Sequence, residues 1–487
     1  MIGWRQGRRL ICETAVAGTV GMLTGAFGLP AHGTEPALVL TQTPRMAAVA
    51  PSKNPLDSRY PPGSRLVLAK PPFAAAHTRI LSEGLTAAAS PVVSYDGRMV
   101  VFAGKAGPDR DWQIYESTLD SGRPRALTSV PGGAMQPALL PHGSLVFAAP
   151  ADAASRVPQL YVQGQGGKSR QLTFAPTGAA DPSMLLDGRI LFVSGRPSET
   201  RGVGAGTALY TVNNDGTEVM AFACQHDPPA FLWSPKQLND GRVAFLVSAD
   251  GNHAAPTTAD CVRMARPFVS RSPLLPEAPV HIRSVRPSGE SNLLVCAEVP
   301  PAADGQGAWA CFRVVRTARS LGSPLFVDPG WNTIEAVEAV SSSPPLGRIS
   351  TMEPAKRTGQ ILCLDVNDTT FRKEDRPAAK ATRVRLTAAA PAGGLRVLGE
   401  VDVQADGSFM AEVPADVPLG FEALDQQGKI VRRELPTLWV RSGENRSCVG
   451  CHAAHNRAPH NHRPLAVRAP LPRLCSPPEN ALAGKAP

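Results

Sequence analysis

A repeat of about 45 residues constrains this chain more than any other feature. Turn pairs recur at Asp96-Gly97, His142-Gly143, Asp187-Gly188 and Asp240-Gly241, their glycines 46, 45 and 53 residues apart. Each is preceded by an X-Pro pair, at Ser90-Pro91, Gln136-Pro137, Asp181-Pro182 and Ser234-Pro235. Each is followed by an apolar run ending on Phe102, Phe147, Phe192 or Phe245. Three copies then carry Ile114-Tyr115, Leu160-Tyr161 or Leu209-Tyr210, and two close on Leu127-Thr128 or Leu172-Thr173. Asp-Gly supplies the positive-φ turn of a hairpin, and the β-branched or aromatic run after it reads as a buried strand. Such a period belongs to propeller blades.

The repeat is plain from 64 to about 250 and decays from there to 345. Arg286-Pro287-Ser288-Gly289, with runs starting at Leu293 and Ala308, suggests a fifth blade, and Leu66–Ala69 is placed to complete the last one by ring closure. Some 280 residues at about 45 each give about six blades. A content of 48 Pro and 44 Gly with few aromatics suits many short strands joined by turns. The repeat resembles the TolB-type propeller pattern of Leu-Thr, Ser-Pro-Asp-Gly, an apolar strand and Ile-Tyr. His142 and His226 stand out because propeller turns line the faces, yet a lone His is more often structural or solvated.

Around the propeller the pattern changes. Residues 34–63 are Pro-, Ala- and Ser-rich and read as a linker. Over 346–440 long alternating runs with turns at Asp406-Gly407 and Gln427-Gly428 predict a small β-sandwich. Residues 441–487 form a tail that opens on Cys448-Val449-Gly450-Cys451-His452. The fold class expected is mainly β: a TolB-like β-propeller, a small β-sandwich and a C-terminal c-type haem segment.

C-x-x-C-H is the attachment signature of one covalent haem c, with Cys448 and Cys451 as thioether positions and His452 as proximal iron ligand. A structural disulfide, a thioredoxin-like pair and half of a zinc site compete for the same residues. A thioredoxin motif would follow a strand of a βαβ unit and a zinc ribbon would need a second C-x-x-C, and neither is present. The sixth iron ligand sets the chemistry. No Met follows Met410, and His455, three residues beyond His452 and expected on the same short helix face, does not easily reach around the porphyrin. His460 and His462, in the Pro-flanked tail, are the distal candidates, beside a propeller His, a partner or an open site. Two histidines would mean low-potential electron transfer, whereas open iron would permit ligand binding or peroxide chemistry.

The start of the chain fits haem attachment outside the cytoplasm. Arg5, Arg8 and Arg9 precede an apolar Leu10–Leu29 stretch and a small-x-small site at Ala31-His32-Gly33, which reads as a signal peptide over 1–33 with a periplasmic product. Glu13 and four glycines make Leu10–Leu29 a poor spanning helix, and no later stretch is long and apolar enough to span a bilayer. The formal charge of +9 is spread along the chain without basic runs interleaved with aromatics, which argues against nucleic-acid binding. A basic surface does suit an acidic redox partner protein or an anionic small-molecule substrate. Apart from Cys12, Cys448 and Cys451, six cysteines remain, and Cys296 and Cys311, in runs that look like paired strands, are the pair expected to bridge.

The run Asp406 to Phe409, Val413-Pro414, Pro418-Leu419, Ala423 to Asp425, Gly428, Gly443-Glu444 and Arg446 to His452 resembles the C-terminal part of the hydrazine synthase alpha-subunit-like family. That family also places a TolB-like propeller upstream. The resemblance implies Cys448 and Cys451 as haem-binding residues and His452 as proximal ligand. In the synthase the C-terminal haem serves electron transfer with two axial histidines, and a second haem site performs the chemistry. This sequence holds a single C-x-x-C-H, and fold similarity does not transfer an activity. The expectation is an exported monohaem c-type cytochrome-like protein with the propeller as docking platform. The alternatives are a periplasmic redox enzyme acting at the propeller mouth, with the haem as relay, and a propeller interaction scaffold. No Ser/His/Asp set, phosphate loop or carboxylate pair names a reaction.

Overall fold

A computed structural model describes residues 35–45, 59–120, 123–151, 157–164, 166–196, 206–225, 227–228, 230–250, 257–278, 281–299, 308–369, 379–389, 394–450 and 461–474. The expected signal peptide, Cys12, His226, Cys451, His452, His455, His460 and Cys475 lie outside the described residues.

Among the described residues, six four-stranded antiparallel sheets follow one another as blades. Blade I takes β1 (Leu38–Pro44), β2 (Arg65–Ala69) and β3 (Thr78–Ile80). Blade II is β4 (Ala87–Val93), β5 (Met99–Lys105), β6 (Gln113–Thr118) and β7 (Arg125–Ala126). Blade III is β8 (Met135–Leu139), β9 (Leu145–Pro150), β10 (Pro158–Gln163) and β11 (Ser169–Gln171). Blade IV is β12 (Ala180–Met184), β13 (Ile190–Gly195), β14 (Thr207–Val212) and β15 (Met220–Ala223). Blade V is β16 (Phe231–Gln237), β17 (Arg242–Ser248), β18 (Thr258–Arg263) and β19 (Ser272–Pro273). Blade VI is β20 (Ile282–Ser288), β21 (Asn292–Val299), β22 (Ala308–Val315) and β23 (Pro324–Phe326). The next strand, β24 (Trp331–Glu338), pairs antiparallel with β1 and so closes the ring as the inner strand of blade I. Ring closure leaves no open sheet edge between first and last blade.

The repeat residues hold equivalent places. In blades II, III and IV the Phe after the Asp/His-Gly turn lies directly opposite the Tyr of the next strand, pairing Phe102 with Tyr115, Phe147 with Tyr161 and Phe192 with Tyr210. The rings stack with centroids 6.1, 6.0 and 5.9 Å apart. Each such pair adds about 0.5–1.5 kcal/mol beyond its burial. The Thr of Leu-Thr replaces a ladder bond: the Ile114 and Leu160 N–H groups donate to Thr128 Oγ1 at 2.8 Å and Thr173 Oγ1 at 2.9 Å. Each Thr hydroxyl then donates to Gln113 Oε1 or Gln159 Oε1 at 2.8 Å. Gly97 has φ +72°, and a Cβ there would lie 2.6 Å from Ser341 N. That contact belongs to an irregular strap after β24, whose Ser342 N–H donates to Tyr95 O and Leu346 N–H to Leu186 O.

The second domain is a sandwich of two sheets. One has order β28–β25–β31, from β25 (Thr358–Asp365), β28 (Phe409–Pro414) and β31 (Asn445–Gly450). The other has order β27–β26–β29–β30, from β26 (Arg383–Ala389), β27 (Leu395–Asp402), β29 (Leu419–Leu424) and β30 (Ile430–Leu438). Ile361, Val366, Leu386, Phe409 and Leu419 fill the space between them.

Two expected boundaries and one bridge need correction. The stretch 34–63 is not all linker, because Leu38–Gln42 is buried as the second strand of blade I. Its alternation is masked because both faces of a propeller strand are covered by neighbouring blades. The sandwich does not stop at 440, since β31 belongs to its sheet and carries Cys448. Cys296 and Cys311 do face each other across β21 and β22, but neither is in a disulfide, nor are Cys224, Cys261, Cys363 and Cys448.

Candidate functional site

Cys448 sits on an edge strand. β31 runs parallel to β25, with Ile361 opposite Arg446, Cys363 opposite Cys448 and Asp365 opposite Gly450. Alternation turns Asn445 and Ser447 to solvent and Cys448 toward the apolar core beside Cys363 and Phe409. Burial pushes the Cys448 thiol up, against the pull of the Arg446 guanidinium. A protonated, half-sheltered thiol does not suit thiolate redox exchange. Gly450 is required by close approach, since a Cβ there would meet Asp368 O at 2.7 Å and Asp365 O at 2.9 Å.

The strand leading to the motif is clasped to the propeller. Trp439, 1% exposed, packs edge-on against Phe174 and its Nε1–H donates to Gly216 O at 3.0 Å. Arg441, 2% exposed, donates from Nη1 to Gln171 O at 3.1 Å, pairs with Asp416 at 3.1 Å and lies over the Phe174 ring. Glu444, also 2% exposed, accepts from the Glu218 N–H at 2.9 Å and from the Arg441 N–H at 2.7 Å. Burial raises the Glu444 carboxyl, and these two N–H groups oppose the rise. Arg446 donates to Val219 O beside blade IV. Sequence reading missed this clasp. Its one signal was Trp439, one of only six Trp, placed just before the motif.

Of the distal candidates, His462 is described. Its Nε2 lies 3.3 Å from Asp406 Oδ2, and the Leu465 N–H donates to the same oxygen at 2.8 Å. Burial works against the Asp406 charge, but the Ser408 hydroxyl, the Leu465 and Ser408 N–H groups and His462 hold its carboxyl down to about 2. The Asp406-Gly407 turn touches Asp365, the residue opposite Gly450, so His462 is tethered at the end of the sandwich where β31 leaves the sheet. His142 lies exposed at the β8–β9 turn. No group of three or more His, Cys, Asp or Glu suited to a metal ion occurs among the described residues.

A second polar assembly lies on the propeller axis. Ser90, Gln136, Asp181 and Ser234, each before a Pro, take positive φ between 46° and 57° where the inner strand bulges. The bulges aim backbone N–H groups inward: Ser90 N–H donates to Glu335 Oε2 at 2.9 Å, Asp181 N–H to Gln136 Oε1 at 2.9 Å and Ser234 N–H to Asp181 Oδ2 at 3.0 Å. Glu335 also accepts from Thr41 Oγ1 at 2.8 Å and from the Tyr60 hydroxyl at 2.9 Å. Asp181 accepts from Gln136 Nε2 at 2.7 Å and pairs with Arg59 at 3.4 Å. Both carboxylates are thus committed to holding blades together, which leaves neither free as a general base.

The fold and these two assemblies define a class: a six-bladed, TolB-like propeller joined to a β-sandwich whose edge strand carries the first Cys of a C-x-x-C-H motif. Residues 359–453 match the hydrazine synthase alpha subunit middle domain. The chain is similar in structure to Kuenenia stuttgartiensis hydrazine synthase, with a TM-score of 0.77 and 18% identity over 90% of this chain and 72% of that one. The resemblance to the hydrazine synthase alpha-subunit-like family therefore holds. TolB from Acinetobacter baumannii is also similar, at a TM-score of 0.39 and 14% identity over 63% of this chain and 67% of that one. No match was found among curated proteins. The matching domain is the family's middle one, which corrects the expected correspondence with its C-terminal part. The electron-transfer role expected by analogy with a C-terminal haem thereby loses that support, and the motif at 448–452 has to be read from its own residues.

Proposed function

We propose that this chain is an exported, periplasmic, monohaem c-type cytochrome-like protein that exchanges electrons with a partner protein, using the propeller as docking platform. The observation that carries this reading is the placement of Cys448. It is a free thiol on an edge strand that is fixed to the propeller by Trp439, Arg441, Glu444 and Arg446. A group held covalently at this strand would inherit a fixed position relative to the propeller. Apolar surface next to Cys448 and a thiol outside any disulfide fit thioether attachment, which takes place before folding and needs no exposed thiolate afterwards. Cys448 and Cys451 would hold the haem and His452 its iron. When bound, haem supplies reversible one-electron chemistry.

His460 and His462 remain the distal candidates. Asp406 holds one nitrogen of the His462 ring, as carboxylates hold the non-ligating nitrogen of metal-binding histidines. With Nε2 on Asp406, Nδ1 would be the nitrogen left to serve as a ligand. The competing reading, a redox enzyme acting at the propeller mouth, requires reactive polar groups there, and Asp181 and Glu335 are already consumed by structural hydrogen bonds. No helix among the described residues is long and apolar enough to cross a membrane.

The test is a reduced-minus-oxidised spectrum of protein expressed with a cytochrome c maturation system, followed by carbon monoxide. A sharp low-spin α-band that carbon monoxide leaves unchanged is expected of an electron-transfer site. Ready carbon monoxide binding would overturn the electron-transfer role in favour of catalysis or sensing.

A further inference from the structure

The propeller axis carries more positive charge than its carboxylates can use. Arg59, Lys236 and Arg286 stand against Asp181 and Glu335, while burial keeps the Tyr60 hydroxyl protonated. Every carboxylate oxygen already accepts a hydrogen bond, from Gln136, the Ser234 N–H, the Ser90 N–H, Thr41 or Tyr60. Lys236 and Arg286, on the inner strands of adjacent blades, line the same cavity. Neither makes a hydrogen bond or ion pair among the described residues. Together they present eight N–H donors with no acceptor.

Two half-buried like charges facing one cavity repel each other unless a counter-charge joins them or a proton leaves. The cavity between them has a volume of about 20 Å³, enough for one water-sized guest. A small anion matches that space and the charge of its two cations. From this juxtaposition of two unpartnered cations in a one-guest cavity, we propose that the propeller axis binds a single small monovalent anion of halide size between Lys236 and Arg286. Burial, then the neighbouring Arg286, push the Lys236 ammonium down, while Asp181 and Glu335 oppose this and Arg59 adds to it. An anion offsets both of the leading influences, so its binding keeps Lys236 charged. The proposed site pins blades V and VI to the axis and is independent of the haem reading.

The test uses the full chain and chloride, with bromide as the crystallographic probe. At constant ionic strength, replacing gluconate by chloride is expected to raise the melting temperature of the wild type by several degrees. Lys236→Met and Arg286→Met should lose that shift. Lys236→Met, which removes one of two like charges facing the same cavity, should melt above the wild type in gluconate, so its folding is checked in the same experiment. Crystals soaked in bromide should show one anomalous peak between the two side chains. A wild-type melting temperature indifferent to chloride, with no bromide peak at the axis, would overturn the proposal.

Discussion

The propeller axis and the clasp under β31 are both buried, charged and hydrogen-bonded, yet they arise differently. At the axis blades II to V each contribute one polar residue at the same bulge, so Ser90, Gln136, Asp181 and Ser234 are variations on one repeated position. At the clasp Trp439, Arg441, Glu444 and Arg446 occur once and reach blades III and IV through backbone carbonyls and N–H groups. Repetition therefore specifies the ring, while unrepeated residues specify where β31 is held against it. Damage at the axis should loosen the propeller itself. Damage at the clasp should free the sandwich from a propeller that stays intact.

The largest effect is expected at the axis. Glu335→Ala orphans the Ser90 N–H and the hydroxyls of Thr41 and Tyr60, each at a cost of about 1–3 kcal/mol. It also deepens the excess of positive charge. Calorimetry should show the propeller transition falling to lower temperature. Trp439→Ala comes next, at about 3–5 kcal/mol for a fully buried Trp. Here scanning calorimetry should separate two transitions, with the propeller's own unchanged. A single transition lowered in both variants would break the distinction between the two regions.

Thr173→Val is smaller. It leaves the Leu160 N–H and Gln159 Oε1 without their shared hydroxyl inside blade III, a loss of about 1–3 kcal/mol that urea denaturation can measure. The smallest effect concerns the tail. Asp406 is held down to about 2 in the folded state, below an ordinary value of about 3.9. Its contribution is therefore present above about pH 4 and lost as pH falls toward 2. Residues 461–468 should detach from the Asp406-Gly407 turn over that window, and Asp406→Asn should detach them at neutral pH. Amide exchange of Leu465 and Ala466, which bond to Asp406 and Ser408, reads this directly.

The sequence was most informative where the physics repeats. Turn glycines, the Phe and Tyr of facing strands and the Leu-Thr closing position gave blade number and strand order, because each copy supports the reading of the next. Leu38–Pro44 escaped notice because a strand covered on both faces shows no period of two, and its partner β24 lies almost 300 residues away. Glu335 escaped for the same reason: nothing local marks it as the acceptor for Ser90, Thr41 and Tyr60. Cys448 was legible from spacing alone. Its clasp was not, since Arg441 and Glu444 look like ordinary surface charges until the fold buries them against Gln171 and Glu218.

The central claim is that this clasped strand carries covalent haem, and intact-mass measurement tests it most directly. Wild-type protein matured with a cytochrome c system should carry the mass of one haem, and the Cys448→Ala/Cys451→Ala double variant should carry none. Wild-type protein that lacks haem, with Cys448 and Cys451 joined in a disulfide, would contradict it.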